Sequence, residues 1–146
     1  MIDKKHIGMQ LPTFLATAEA GQLRFFAKAI GETNPIYFDE QAARDAGHPA
    51  LPLPPTFLFS LEFQLPSNSW RDEMGIIGSR ILHGEESFTY HRMAYAGDTL
   101  RFEMRISDIY DKKNGALSFV VRESRVTNQR GEHVADLRSV LVHRNI

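Results

Sequence analysis

Hydrophobic and polar residues follow one period in the first half of the chain and another in the second. In the first half, Leu23, Phe26, Ala27 and Ile30 fall at i, i+3, i+4 and i+7, which places them on one face of a helix. Gly31 follows directly, and a glycine just after a periodic run is a typical helix stop. The spacing therefore predicts a helix of roughly three turns.

A second, shorter helix is predicted just downstream. Asp39 can cap the run from Glu40 to Ala46, because an aspartate side chain accepts hydrogen bonds from the first free N–H groups of a helix. Gly47 ends this run, and Pro49 forbids its continuation. The two predicted helices flank the segment from Glu32 to Phe38.

In the second half the period changes to two, which is the pattern of strands with one dry and one wet face. Apolar residues occupy alternate positions from Leu100 to Ile106 and again from Leu117 to Val121. The Asn-Gly pair within Asp111 to Gly115 predicts a hairpin turn between them. Two more strands are predicted from Phe88 to Arg92 and from Val134 to Val142, which together indicate an antiparallel meander.

The segment from Pro55 to Leu65 is ambiguous. Apolar residues alternate from Phe57 to Leu65 as in a strand, but Leu58 interrupts the alternation. As a helix the segment would be apolar almost all round, which suits only a buried helix, and Pro55 fits a first helical turn. Periodicity alone leaves both interpretations open.

Charge and length narrow the function classes. The chain has 146 residues, with 17 Lys plus Arg against 18 Asp plus Glu, so its formal charge is −1. Basic residues are scattered and form no stripe, which argues against nucleic-acid binding. The length suits a single domain spanning residues 1–146.

Cysteine is absent, which excludes disulfide bonds, thiolate zinc sites and a cysteine nucleophile. No signal peptide is recognisable at the amino terminus. The most apolar window, Leu51 to Leu65, is too short and too often interrupted to cross a bilayer. We therefore expect a soluble, cytoplasmic protein.

The six histidines show no paired spacing of the kind that metal sites use, so we expect no metal. The sequence also lacks a glycine-rich phosphate loop and a Gly-x-Ser-x-Gly turn, which argues against nucleotide binding and serine-hydrolase chemistry. Chemistry-bearing residues concentrate instead in one block, Gly31 to Asp39, where a helix ends, a carboxylate follows and an Asn-Pro turn redirects the chain. Such loops often present side chains to a ligand.

This block, together with later motifs, resembles the MaoC-like hydratases and dehydratases, especially their N-terminal, FAS1-like dehydratase class. The resemblance rests on the order and spacing of short motifs between Leu23 and Leu100. These motifs are Gly31 to Asp39, then Ala42, Ala43 and Gly47, then Pro54 to Phe57, then His83 to Glu85 with Phe88, Tyr90 and Arg92, and finally Gly97 to Leu100.

The resemblance implies an α+β fold of the hot-dog type, in which an antiparallel sheet wraps round a long central helix. Pro55 to Leu65 is then the helix. The family adds water to an enoyl thioester, or removes it from an (R)-3-hydroxyacyl thioester, carried on coenzyme A or acyl carrier protein. The reaction needs a base, an acid and N–H donors for the thioester oxygen, and no cofactor. In active relatives an Asp and a His supply the first two, and the start of the central helix supplies the donors.

The chain departs from the family pattern at these positions. Glu32 stands where the family has Asp, and Tyr37, whose phenol titrates near 10, stands where it has His. Pro54-Pro55 replaces the usual His-Gly pair and removes N–H donors, so that only Thr56 and Phe57 could offer them.

The resemblance implies that Asn34, Pro55, Thr56 and Phe57 contact the substrate. His83 is the best local substitute for the missing base.

These departures are typical of the non-catalytic half of a double hot dog, which shapes the acyl tunnel of an active partner. That partner would be a second MaoC-like subunit or another copy of this chain, in fatty acid metabolism. Two alternatives stay open: a self-sufficient hydratase that uses Glu32 with His83 or Tyr37, and a binding module that holds acyl thioesters without turnover.

Plainer roles also fit several of these residues. Glu32 could be a solvated residue beyond the helix, and Tyr37 a packing residue with a bonded hydroxyl. Asn34 could simply fix its own turn. The phenylalanines of the central segment suit an ordinary core, and Arg92, Arg101 and Arg105 suit either a solvated rim or a coenzyme A phosphate.

Overall fold

The computed structural model describes residues 1–145, which form a five-stranded antiparallel sheet and four α-helices. In chain order these elements are β1 (Phe14–Thr17), α1 (Ala20–Ala29), α2 (Glu40–Asp45), α3 (Phe57–Glu62), α4 (Ser69–Glu73), β2 (Ile81–Tyr90), β3 (Thr99–Lys112), β4 (Leu117–Thr127) and β5 (His133–Arg144). Single 3-10 turns cover Lys4–His6, Pro35–Tyr37 and Gly78–Arg80.

The strand order in the sheet is β1-β3-β4-β5-β2. The predicted meander is confirmed for β3, β4 and β5, and Lys113, Asn114 and Gly115 all adopt positive φ in the turn that joins β3 to β4. β2 lies beyond β5, because its residues pair with β5 over their whole length. β1, which the periodicity missed, pairs with β3, and Phe14 stacks on Phe102 with ring centroids 5.0 Å apart.

The predicted bounds of β2 were wrong. The strand begins at Ile81 and not at Phe88, and it ends at Tyr90. Most residues of its first half are exposed, so no alternating apolar pattern marks them, and hydrogen bonds to β5 hold them in the sheet. The register shifts between His83 and Glu85, which marks a bulge at Gly84.

The first two helices match their predictions. α1 buries Leu23 and Ala27, and Gly31 adopts a φ of 73° just beyond it, as a helix stop requires. Asp39 caps α2, since its Oδ1 accepts the N–H of Ala42 at 2.7 Å. These helices therefore follow from local periodicity and caps.

α3 lies against the sheet but is shorter than predicted. Its six residues bury Phe57, Leu58 and Leu61, whereas Phe63 is 71% exposed just past its end. Beyond Glu62 the N–H groups of residues 63–65 bond to carbonyl groups three residues back, so the α-helix gives way to tighter turns. Pro66, which has no N–H, ends these turns. The fold is nevertheless the α+β hot-dog architecture, with the main core between this helix and the sheet.

None of the helices formed by residues 1–145 is long and apolar enough to span a membrane.

Candidate active site

The loop that follows α1 is organised by its own side chains. Glu32 Oε1 accepts the backbone N–H groups of Thr33 at 2.8 Å and Asn34 at 2.9 Å. Asn34 Oδ1 in turn accepts the N–H of Ile36 at 3.2 Å and caps the 3-10 turn Pro35–Tyr37. The Glu32 carboxylate is thus turned towards its own backbone, and Asn34 holds the turn in the way that its sequence context suggested.

Two tyrosines meet near this loop. Burial, followed by the nearby charge of Glu32, raises the pKa of Tyr37 above its usual value. Burial, followed by the neighbouring Tyr37, raises the pKa of Tyr90 to about 12. Both phenols are therefore protonated at neutral pH and can donate a hydrogen bond but cannot serve as bases.

The Tyr90 hydroxyl donates to the carbonyl oxygen of Pro55, so the end of β2 is tied to the residues that precede α3. Sequence reasoning did not include Tyr90 among the site residues. Tyr90 belongs to one of the family motifs, and that membership was the available signal in the sequence. Its contact with Pro55 depends on the pairing of β2 with β5.

The start of α3 offers fewer donors than predicted. Pro54 and Pro55 have no N–H, and the N–H of Phe57 donates to Pro54 O at 2.9 Å. The N–H of Thr56 has no acceptor within residues 1–145, and both Pro55 and Thr56 are exposed. Of the two predicted donors, Thr56 is therefore the one available to a thioester oxygen.

His83 is not brought to Glu32 or Tyr37. It lies seven residues before Tyr90 on β2, which at about 3.3 Å per residue separates them by roughly 23 Å along the strand. Its ring instead packs on Phe59 with centroids 4.9 Å apart, and its Nε2 lies 4.0 Å from Glu86 Oε2. Within one chain the geometry separates His83 from the Glu32 loop.

A buried polar cluster lies between α3 and the sheet. The carboxylate of Glu62, whose side chain is 2% exposed, accepts hydrogen bonds from Ser124 and Arg122 on β4. Glu86 on β2 is close enough for the Glu62 charge to act on it. Sequence reasoning missed this cluster, because each member lies in an apolar run or a strand pattern without a recognisable spacing.

Three potential metal ligands also converge at the sheet surface, although their spacing predicted none. Nitrogen and oxygen atoms of His91, His133 and Asp136 lie within 4.8 Å of one another. Asp136 accepts from both imidazoles at 2.8 Å. Burial acts to raise the pKa of Asp136, but the two hydrogen bonds and the nearby histidines together outweigh it and lower the pKa.

The family model described as FAS1-like, dehydratase domain region, matches residues 5–137. A UPF0336 protein from Leifsonia xyli subsp. xyli is 42% identical over 134 residues, which cover 91% of this chain and 87% of that protein.

Two solved structures share the fold. A chain of the C-terminally truncated HadBC (3R-hydroxyacyl-ACP dehydratase) complex from Mycobacterium tuberculosis superposes with a TM-score of 0.79 at 29% identity, covering 94% of this chain and 96% of that one. A chain of the ChsH1-ChsH2 complex from the same organism gives a TM-score of 0.71 at 23% identity, covering 93% and 89%. At 23% identity, the similarity to the ChsH1-ChsH2 chain shows a shared fold alone.

Proposed function

The chain belongs to the family of FAS1-like dehydratase domains, and on that premise we propose that it is an acyl-thioester-binding subunit of an (R)-specific hydratase or dehydratase. Its partner is a second MaoC-like subunit that supplies the catalytic Asp and His. This chain shapes the acyl tunnel, and the thioester is carried on coenzyme A or acyl carrier protein in the cytoplasm. The two-component complexes among the solved relatives support this arrangement.

One observation carries the proposal: the residues in the dyad positions are unsuited to proton transfer. The Glu32 carboxylate is engaged by two N–H groups of its own loop. The Tyr37 phenol keeps its proton at neutral pH, because burial and the Glu32 charge both oppose its ionisation. A hydratase needs one group that accepts a proton and one that donates it near C2 and C3. This loop supplies a donor without a matched base.

The start of α3 retains a binding role. Thr56 can donate its N–H to a thioester oxygen, and the positive end of a helix favours negative charge there. Tyr90 holds the preceding backbone through Pro55 O. These residues orient a thioester, while the chemistry takes place on groups of the other subunit.

The edge of β2 supports a partner chain. β2 hydrogen-bonds to β5 along one side, and no strand of residues 1–145 pairs with its other side. Exposed edges of this length invite pairing with another strand. Two large apolar side chains near this edge, Leu82 and Met93, are also exposed. A second hot-dog subunit would pair with this edge and cover these side chains.

The decisive experiment measures the hydration of enoyl-coenzyme A substrates of several chain lengths. The purified chain is assayed alone and after mixing with a MaoC-like protein encoded beside its gene, and size-exclusion chromatography with light scattering reports the assembly. We expect turnover only in the mixture, together with a heteromeric species.

Two other outcomes contradict the proposal. Turnover by the chain alone that Glu32→Gln abolishes would establish a self-sufficient hydratase. Saturable thioester binding without turnover in either condition would establish a binding module. Glu40→Gln is the matched control for Glu32→Gln, because Glu40 is an exposed carboxylate on α2 that pairs with Arg24 and Arg44.

A further inference from the structure

Three side chains with metal-ligating atoms converge where the end of β2 meets the start of β5. Asp136 accepts hydrogen bonds from His91 and His133, one on each carboxylate oxygen and both at 2.8 Å. The two imidazole rings pack together, with centroids 4.2 Å apart and planes inclined by 30°. Two imidazoles and one carboxylate form a ligand set that zinc uses in proteins, with a fourth position left to water.

A bulge in β5 brings the ligands to one side of the sheet. His133 and Asp136 are three residues apart, and on a regular strand such residues point to opposite faces. Here Val126 of β4 pairs with Ala135 while the next residue pairs with His133, so Val134 is the extra residue of a bulge. Such bulges redirect side chains. The carbonyl oxygen of Val134 also accepts the backbone N–H of His91 at 2.8 Å, which fixes the third ligand against the bulge.

The cluster is open to solvent, so an ion can reach its ligand atoms. The exposed fractions of the side chains are 41% for His91, 30% for His133 and 47% for Asp136. One potential ligand atom from each residue lies within 4.8 Å of the others. Zinc bonds of about 2.0–2.2 Å in a tetrahedron keep ligand atoms roughly 3.4 Å apart, so each atom needs to move by only about 1 Å or less. Exposed side chains can make such a move by rotation about their own bonds.

The charged neighbours leave the Asp136 carboxylate to the two histidines. Three arginines flank the cluster, one beside His91, one opposite Asp136 on β4 and one further along β5. Each pairs with another carboxylate, in the ion pairs Arg92–Glu132 at 3.4 Å, Arg125–Glu103 at 3.9 Å and Arg138–Glu85 at 3.0 Å. Within residues 1–145, no lysine or arginine forms an ion pair with Asp136. A dication therefore meets a carboxylate that no fixed positive charge already neutralises.

We propose that His91, His133 and Asp136 form a zinc site, in which two imidazole nitrogens and one carboxylate oxygen bind the ion. The ion takes the place of the hydrogen bonds to Asp136 and ties the end of β2 to the start of β5. Tyr90, the residue before His91, holds the carbonyl group of Pro55 ahead of α3. The same tie thus steadies the strand end that contacts the candidate active site. Zinc binding at this cluster does not depend on the proposed acyl-thioester function.

Isothermal titration of the full chain with zinc chloride tests the site. The protein is produced without a polyhistidine tag, stripped with a chelator and transferred to chelator-free buffer. We expect one zinc ion per chain with a Kd of about 10 µM or tighter. Magnesium and calcium at the same concentrations should not bind, because those ions prefer sites made of oxygen ligands. Excess zinc should also raise the Tm, since an ion that binds only the folded chain stabilises it.

Three substitutions remove one ligand each, namely His91→Gln, His133→Gln and Asp136→Asn. Each should weaken zinc binding at least about tenfold, because the loss of even an outer-shell partner commonly costs about 10–100-fold. His83→Gln is the matched control. The Nε2 atom of His83 also lies near a carboxylate three residues further on, at 4.0 Å from Glu86, but His83 belongs to no group of three ligands in the described chain. Circular dichroism of the metal-free proteins verifies folding.

Chemical modification gives a second readout on the unaltered chain, which holds even where a substitution prevents folding. Diethyl pyrocarbonate modifies exposed imidazoles, and mass spectrometry locates the products. Zinc should protect His91 and His133 and leave His83 reactive.

Three results would overturn the inference: no saturable zinc binding by the unaltered chain, binding that survives all three substitutions, or a loss as large with His83→Gln. None of these results alters the outcome of the enoyl-coenzyme A assay, so the proposed function stands or fails separately.

Discussion

The unaltered protein should lose stability as pH rises, because the half-buried carboxyl group of Glu86 becomes charged. Replacing Glu86 with glutamine should remove this loss. Glu86 is half-buried on β2, and both its carboxylate oxygens lack a hydrogen-bond partner among the described residues. Burial, followed by repulsion from Glu62, raises its pKa from 4.5 to about 7, although Ser139 and Arg122 oppose the shift in part. Glutamine has nearly the same shape but carries no charge at any pH.

The direction of the effect follows from proton linkage. Below pH 4.5 the carboxyl group is protonated in both the folded and the unfolded chain, so the folded state bears no penalty. Between pH 4.5 and 7 the unfolded chain releases the proton while the folded chain keeps it, which favours unfolding. The stability tied to the protonated group is therefore lost as pH rises to about 7 and slightly above.

The magnitude follows from the same values. At about 1.36 kcal/mol per pKa unit, the change from 4.5 to about 7 corresponds to roughly 3 kcal/mol. Because the Glu86 side chain keeps 12% exposure, we halve this figure for solvent screening. Glu86→Gln should thus gain about 1.5 kcal/mol over the unaltered protein at pH 8 and almost nothing at pH 4.5.

Urea unfolding at fixed protein concentration, repeated from pH 4.5 to 8, measures this difference. Glu85→Gln is the matched control, because Glu85 is the exposed neighbour that pairs with Arg138 at 3.0 Å. It should show no comparable gain with pH. A constant difference between Glu86→Gln and the unaltered protein across the range would refute the reasoning.

Three other substitutions test separate contacts by the same unfolding assay. Arg122→Met should cost about 3–5 kcal/mol, because the charge of Glu62 stays buried without its partner, and adding Glu62→Gln should restore most of the loss. Gly84→Ala should cost about 1–3 kcal/mol, since a Cβ there would lie 2.8 Å from Val142 Cγ2. Tyr90→Phe should cost about 1 kcal/mol, because the hydrogen bond to the residue before α3 is lost.

Each substitution has a control and an outcome that contradicts it. For Gly84→Ala the control is Gly21→Ala on α1, where nothing lies within 4 Å, and which should stabilise by about 0.5–1 kcal/mol. Additive losses for Arg122→Met and Glu62→Gln would show that the two side chains are not coupled. Tyr110→Phe on β3 matches Tyr90→Phe, and equal losses for both would exclude a special role for Tyr90.

The sequence was informative wherever structure depends on neighbours within a few residues. The helical period predicted α1, and Asp39 with Gly47 predicted the limits of α2 almost to the residue. The Asn-Gly turn predicted the hairpin of β3 and β4, since positive φ is a local requirement. The short motifs were sufficient to identify the family and its fold.

The candidate site was predictable in part for the same reason. Glu32 and Asn34 organise their own loop, so a local motif locates them. Tyr90 and His83 belong to one strand, and nothing in their spacing shows that one end of β2 contacts Pro55 and the other contacts Phe59.

Tertiary structure alone decided the features that join distant segments. β2 is held by pairing with β5, and Glu62 meets Arg122 across 60 positions of sequence. Periodicity describes which face of an element is apolar, but it carries no information on which element will face it. The buried charges of Glu62 and Arg122 are tolerated because each neutralises the other. Folding brings α3 and β4 together, so this pairing exists only once the sheet has formed.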